Sequence, residues 1–283
     1  MITRRSHLLL PSLALVTAIF LLLYLGCAKK PTDTLDALRT RGELVIGVFG
    51  DKPPFGYIDQ TGRNVGFDVA LARELGRALL GDENKVKFVT LEAANRVAFL
   101  QSNKVDIILA NFTNTPERAE VVDFAEPYMR AALGVIVPDN SPLKTLADLR
   151  GHVLIVDKGT TAESYFVKNS PEIELLRFDQ NTEAFQALKD GRGAALSHDN
   201  MLLFAWTNEN PGFRLIESNL GNADVIAPAV KKGNTELLKW TNEQILRLRK
   251  EGFFRRAYES ELRPHFGSSI RDPGTVLVEG PST

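Results

Sequence analysis

One cysteine, Cys27, occurs in 283 residues. An internal disulfide framework is therefore excluded, and so is a thiolate metal cluster, which needs several cysteines. Histidine is nearly as scarce. His7, His152, His198 and His265 are scattered and no His-x-x-x-His pair occurs, which argues against a zinc site. Neither sign of charge is in excess: 34 Lys and Arg stand against 35 Asp and Glu, a formal net charge of −1. Without a basic surplus there is little to neutralise a phosphate backbone, so nucleic acid is not an expected partner. A Gly-x-Ser-x-Gly elbow, a Walker glycine loop and a Gly-x-Gly-x-x-Gly turn are all missing. Their absence disfavours a hydrolase, an ATPase and a dinucleotide enzyme, and no cofactor is expected. What is present is 44% apolar and 24% charged residues, the balance of a globular protein with length for one large or two ordinary domains.

The amino terminus is set apart. Arg4 and Arg5 precede an apolar run from Leu8 to Leu25, then Gly26, Cys27 and polar residues. A basic end, an apolar stretch and a small residue before the cut describe an export signal. Leu23-Tyr24-Leu25-Gly26-Cys27 resembles a bacterial lipobox, in which the cysteine is acylated and becomes the new amino terminus. The alternatives are an uncleaved anchor helix, which Pro11 interrupts, and plain secretion. All three place the folded part outside the cytoplasmic membrane, in the periplasm or at the cell surface, with a lipid anchor at Cys27 the leading expectation. Residues 28–42, polar and containing Pro31, read as a tether.

Beyond the tether, β-branched runs alternate with helical periods. The runs are Leu44–Val48, Val86–Val89, Val105–Leu109, Gly134–Val137, His152–Val156, Ala194–Leu196 and Val225–Val230. Phe67, Leu71, Leu75 and Leu79 form one helical apolar face; Leu238, Thr241, Ile245 and Leu248 form another, with Gly252 where a C-cap belongs. Alternation of this kind gives an α/β fold with mostly parallel sheets covered by helices. The pattern restarts after Ser141-Pro142, and a second joint is expected near Asn219 to Asp224. The reading is two lobes, 43–130 with 226–266 and 131–225, linked by two crossings that act as a hinge. The tail, 267–283, reads as flexible.

Four segments carry a more specific signal: Gly66-Phe67-Asp68-Val69-Ala70-Leu71-Ala72, Asn111-Phe112-Thr113-Asn114-Thr115-Pro116-Glu117-Arg118, Val122-Asp123-Phe124-Ala125-Glu126-Pro127-Tyr128 and Lys158-Gly159-Thr160-Thr161. In this order and spacing the chain, from about Leu44 to Phe266, resembles family 3 of the bacterial solute-binding proteins, which deliver polar amino acids to ABC importers. The resemblance implies a two-lobed type II periplasmic-binding-protein fold, a free amino acid as ligand, a membrane permease as partner, a monomer, and no chemistry on the ligand. The rival on the same fold is a dehydratase of the cyclohexadienyl or arogenate type.

The residues have physical readings of their own. Thr115 is a good N-cap and Pro116 suits the first helical position, so Arg118 falls in a first helical turn after a strand. Strand carboxyl ends are where open α/β sheets take ligands, and a guanidinium there can grip a carboxylate with two prongs. The family's matching arginine binds the ligand's α-carboxylate. Thr161 opens a helix whose N–H groups suit the same carboxylate, and in relatives its backbone N–H donates. Asp199, at a strand end, is either an N-cap or, as the family has it, the partner of the ligand's ammonium; His198 beside it is ligand contact or structural. Asn111 and Thr113 match head-group positions. Among Phe49, Phe55 and Tyr57, one aromatic is expected to sandwich the ligand's stem, with Phe49 the choice.

Arg96 decides the expected ligand. Arg118 and Asp199 cancel, which suits a zwitterion; an inward Arg96 adds one positive charge, which suits glutamate or aspartate. An outward Arg96 leaves glutamine or another neutral polar amino acid equally fitting, and Lys52 or Lys158 can take its place. The inward reading is the expectation, and because burying a guanidinium against a neutral ligand is costly, it carries an acidic ligand with it.

Overall fold

The computed structural model describes residues 34–270 and 272–280. The export signal, Cys27 and the first part of the tether lie outside the described residues, as does Arg271. Among the described residues no helix is long and apolar enough to cross a membrane.

In chain order the strands are β1 (Leu44–Val48), β2 (Asp51–Lys52), β3 (Gly56–Ile58), β4 (Asn64–Val65), β5 (Val86–Thr90), β6 (Ile107–Ile108) and β7 (Val122–Phe124). They continue with β8 (Met129–Pro138), β9 (Val153–Asp157), β10 (Glu174–Phe178), β11 (Ala195–Asp199), β12 (Phe213–Ile226) and β13 (Ala229–Lys231). Two five-stranded sheets result, in the orders β5-β1-β6-β13-β7 and β10-β9-β11-β8-β12, beside a small β2-β3-β4 sheet. Each large sheet is mixed. β13 runs against β6 and β7, and β8 runs against β11 and β12, while β1, β5 and β6 are parallel, as are β9, β10 and β11. Each sheet is the floor of one lobe of an α/β protein.

The helices form where the apolar period predicts. Phe67, Leu71, Leu75 and Leu79 are buried on the helix Phe67–Leu80. On Thr235–Lys250, Thr241, Ile245 and Leu248 are buried, Leu237 takes the core place expected of Leu238, and Gly252 is left-handed just past the end. Thr115 caps Pro116–Ala119 by accepting from the Arg118 N–H. Thr160, one residue before Thr161, caps Thr161–Asn169.

Three expectations need correction. The tether is structured in its second half: Thr34 caps a helix, Leu35–Arg41, that buries Leu38. Ser141-Pro142 and Asn219 to Asp224 are not the joints. Asn219 to Asp224 lie inside β12, which pairs with β8 from Phe213↔Pro138 to Ile226↔Met129 through several register shifts. Ser141 sits at the far end of that ladder, where its carbonyl accepts from the Arg214 guanidinium. The passage between the sheets is therefore at the Met129 and Ile226 ends of β8 and β12. Finally, the tail is held in place over 276–278. Val276, Leu277 and Val278 are buried, Leu277 bridges Met129, the Arg130 N–H donates to Val276 O at 2.7 Å, and the Val278 N–H donates to Tyr128 O at 3.1 Å. The tail straps the chain where it enters β8.

Burial of a valine or leucine contributes about 1.5–3 kcal/mol. Deleting residues 272–283 should therefore lower Tm by about 6 °C or more. A calorimetric Tm within about 1 °C of the full chain would show that the strap adds nothing.

Candidate functional site

Residues from both lobes converge where the carboxyl ends of β1, β6, β9 and β11 meet. Lys52, on β2, is 1% exposed. Its ammonium donates to Asn111 Oδ1 at 2.7 Å and to Asp199 Oδ2, on the opposite lobe, at 2.8 Å. It lies over the rings of Phe49 (5.2 Å) and Phe55 (5.9 Å). Burial pulls the Lys52 ammonium below its ordinary value, and Asp199 opposes that pull. For Asp199 burial acts upward, yet the Lys52 ammonium and His198 hold its carboxyl well below the usual carboxylate range. Asp199 occupies the N-cap position of the helix Asn200–Glu209 but makes no side-chain capping bond. Its carboxylate is committed to Lys52, which disposes of the cap reading.

Arg96 faces inward and is 3% exposed. Its donors are engaged by carbonyls: Nε by Ala93 (2.9 Å), Nη1 by Ala110 (3.2 Å) and Asn111 (3.4 Å), and Nη2 by Gly159 of the other lobe (3.0 Å). Burial and the neighbouring Arg118 depress its guanidinium. Arg118 is half-buried and donates through Nη1 to Thr113 O and through Nη2 to Gly159 O, both at 2.9 Å. Burial lowers Arg118 to about 10. Both guanidinium groups lie over Phe112, at 4.3 and 4.9 Å from its ring centre. Phe112 thus forms the platform that holds two like charges side by side.

Gly159 must be glycine for two reasons. Its φ is +73°, and a Cβ would stand 2.6 Å from Ala94 Cα on the first lobe. The lobes also touch at Asp51, which accepts from Asn181 Nδ2 (2.9 Å) and the Thr182 N–H (3.4 Å).

Asp68 explains the first of the four motifs. Buried, it accepts from the Asn111 N–H (2.8 Å) and from the Tyr128 hydroxyl (2.7 Å). It thereby fixes Asn111, whose φ is +43°, and ties the entry of β8 to the loop after β6. Burial raises Asp68 to about 6, with the Tyr128 and Asn111 bonds opposing. Thr113 is buried and bridges Ile226. Thr161 opens its helix beside Arg118 and Asp224, lining a hollow with Ser164, Tyr165 and Leu220. Asp157, at the end of β9, is buried, and its Oδ1 has no hydrogen-bond partner. Desolvation, with Asp51, Asp199 and Asp179 adding and Lys52 opposing, pushes its carboxyl up to about 7.

The structure therefore brings Asn111, Thr113, Arg118, Arg96, Phe49 and Asp199 into one cluster, with Thr161 at its edge. Sequence reasoning missed Phe112 as a platform, Asp68 as the brace, Asp157, and the pairing of Lys52 with Asp199. The buried charges also revise the count that singled out Arg96. Lys52, Arg96 and Arg118 stand opposite Asp199, Asp68 and a partly ionised Asp157, so most of the positive excess that Arg96 alone implied is offset.

Comparison with known proteins places the chain. The model of the bacterial extracellular solute-binding proteins, family 3, matches residues 44–262. The ABC transporter glutamine-binding protein of Bacillus subtilis is 31% identical over 264 residues, covering 89% of this chain and 96% of that protein. Two solved structures are 56% identical with TM-scores of 0.85. They are the solute receptor for L-cysteine of Neisseria gonorrhoeae, matched over 87% of this chain and 100% of that one, and the cysteine-binding protein of Campylobacter jejuni, matched over 87% and 99%.

Proposed function

The chain belongs to family 3 of the bacterial extracellular solute-binding proteins, and from that premise we propose that it captures a small neutral L-amino acid, L-cysteine first, for an ABC permease. The observation that carries this reading is the buried Lys52–Asp199 pair. Lys52 is already paired with Asp199, so it is no free cation for a ligand's second carboxylate. Arg96, with its donors held by four carbonyls, has little left for a distal carboxylate. A site with most of its positive excess offset favours a ligand whose only charges are its own ammonium and carboxylate. The cysteine receptors at 56% identity support the same class. Glutamine, the ligand named for the Bacillus relative, is the second candidate, and glutamate or aspartate fall behind both.

In this reading the amino acid lands on the first lobe, its carboxylate on the Arg118 fork and its head group against Thr113 and Asn111. The second lobe brings the Thr161 N–H to the same carboxylate and the free edge of Asp199 to the ammonium. Phe49 closes over the stem, and Arg96 buttresses the Asn111 loop instead of gripping the ligand. Displacing water strengthens each charged contact. A Kd near ~1 μM, or about −8 kcal/mol, fits a few charge-assisted bonds less the cost of ordering. The loaded form docks on the permease as a monomer held at the membrane by an acylated Cys27. No bond of the ligand changes, so prephenate and arogenate should pass through unaltered.

A thermal-shift screen of the twenty amino acids tests this. At about 1,000 times Kd a ligand stabilises by about 4 kcal/mol, a rise in Tm of about 8–16 °C. L-cysteine should give the largest rise, and glutamate and aspartate little. The largest rise with glutamate would return the site to an acidic ligand, and no rise with any amino acid would end the reading.

A further inference from the structure

Resting on the amino-acid reading above, we propose that Asp157 is a specificity-determining residue whose Oδ1 accepts the hydrogen of a thiol or hydroxyl on the ligand's β-carbon.

Asp157 closes β9 immediately before the Lys158–Thr161 turn that reaches across to the first lobe. It is 3% exposed, and Oδ1 is buried without a donor. Buried carboxylate oxygens are nearly always hydrogen-bonded, so an orphan inside a binding cleft points to a donor that arrives with the ligand. Its other oxygen, Oδ2, lies 3.5 Å from His198 Nε2. His198 is also buried, and burial, with Lys52 adding, lowers its pKa, so the ring is neutral. The Asp199 N–H donates to Nδ1 at 2.6 Å, which leaves the ring proton on Nε2, facing Asp157.

The imidazole therefore stands between Asp157 and Asp199, 3.5 Å from an oxygen of each, and keeps the two carboxylates apart. When Asp199 holds the ammonium, a side chain of one carbon and one heteroatom spans the gap to Asp157. The groups whose charge acts on Asp157 come from both lobes: Lys52 and Asp51 from the first, Asp199 and Asp179 from the second. None of them gives Oδ1 a hydrogen, so the oxygen is kept for the ligand. Lys52, seated over Phe49 and Phe55, already occupies the adjoining floor, which limits the side chain to this short reach.

Isothermal titration of the soluble chain with L-cysteine, L-serine, L-alanine and L-2-aminobutyrate tests this, because 2-aminobutyrate replaces the thiol by a methyl of similar size. The intact protein should bind cysteine at least about tenfold more tightly than 2-aminobutyrate. In Asp157→Ala that ratio should fall to about twofold or less, with alanine still bound. Asp157→Leu, which keeps the same heavy-atom branching without an acceptor, carries the same readout if the smaller residue leaves the protein unfolded. A ratio unchanged in either variant would make Asp157 a structural carboxylate and overturn the proposal, as would a ratio near one in the intact protein. Failure of the amino-acid reading itself looks different: the intact protein would bind none of the four, alanine included.

Discussion

Arg118→Ala should yield a folded protein whose affinity for its amino acid is lower by about a thousandfold. The guanidinium is the half-buried cation on the first lobe whose fork is already held in plane, by Thr113 O on one side and Gly159 O on the other, over the Phe112 ring. A carboxylate brought there without it is desolvated and unpaired, which costs about 3–5 kcal/mol. Arg118→Lys should recover only part of the loss, since an ammonium keeps the charge but not the two-pronged geometry. Because Arg118 is partly open to water, the two carbonyls it leaves can be solvated, and Tm should change little. Titration calorimetry on a variant with the parent's Tm is the check; binding within about tenfold of the parent would remove Arg118 from the site.

Asp199→Ala should do double damage. Binding should be lost with the anion proposed to meet the ammonium, and Lys52, 2% exposed at its side chain, is left with Asn111 Oδ1 but no counter-charge. Removing one member of a buried pair costs about 3–5 kcal/mol. Burial already pulls Lys52 below its ordinary value, so the orphaned amine should shed its proton, and the destabilisation should ease as pH rises. The double variant Lys52→Met, Asp199→Ala should regain most of the stability and none of the binding, because an apolar side chain of similar volume tolerates the same floor. Urea unfolding of the two variants separates the effects. A single variant as stable as the parent would show that the pair is not buried in solution.

How much of this was legible in the sequence follows from the range of each interaction. The helix faces and caps were legible, because Phe67, Leu71 and Leu75, or Thr115 and Pro116, act within a turn of themselves. Arg118, Thr113 and Asn111 were marked by the ordered motifs, and Asp199 by its place at a strand end together with the family resemblance. Lys52 was not, since its partner is 147 positions away and a lone lysine in a loop ordinarily points to water. The two readings of Arg96 could not be separated because the carbonyl of Gly159, 63 positions on, takes one of its donors. The Asn219–Asp224 stretch misled for a local reason: Asn, Gly and Asp favour turns, yet here β8 imposes a long irregular strand on them. The tail misled because Val276, Leu277 and Val278 are too few to show a period, and only the edge at Tyr128–Arg130 gives them a place.

The proposed clamp needs both ends of the zwitterion at once. Titration of the protein with L-cysteine, with its methyl ester and with N-acetyl-L-cysteine measures that directly. Cysteine should bind at about 1 μM, and each blocked analogue should weaken to about 1 mM or beyond. Either analogue binding within about threefold of cysteine would contradict it.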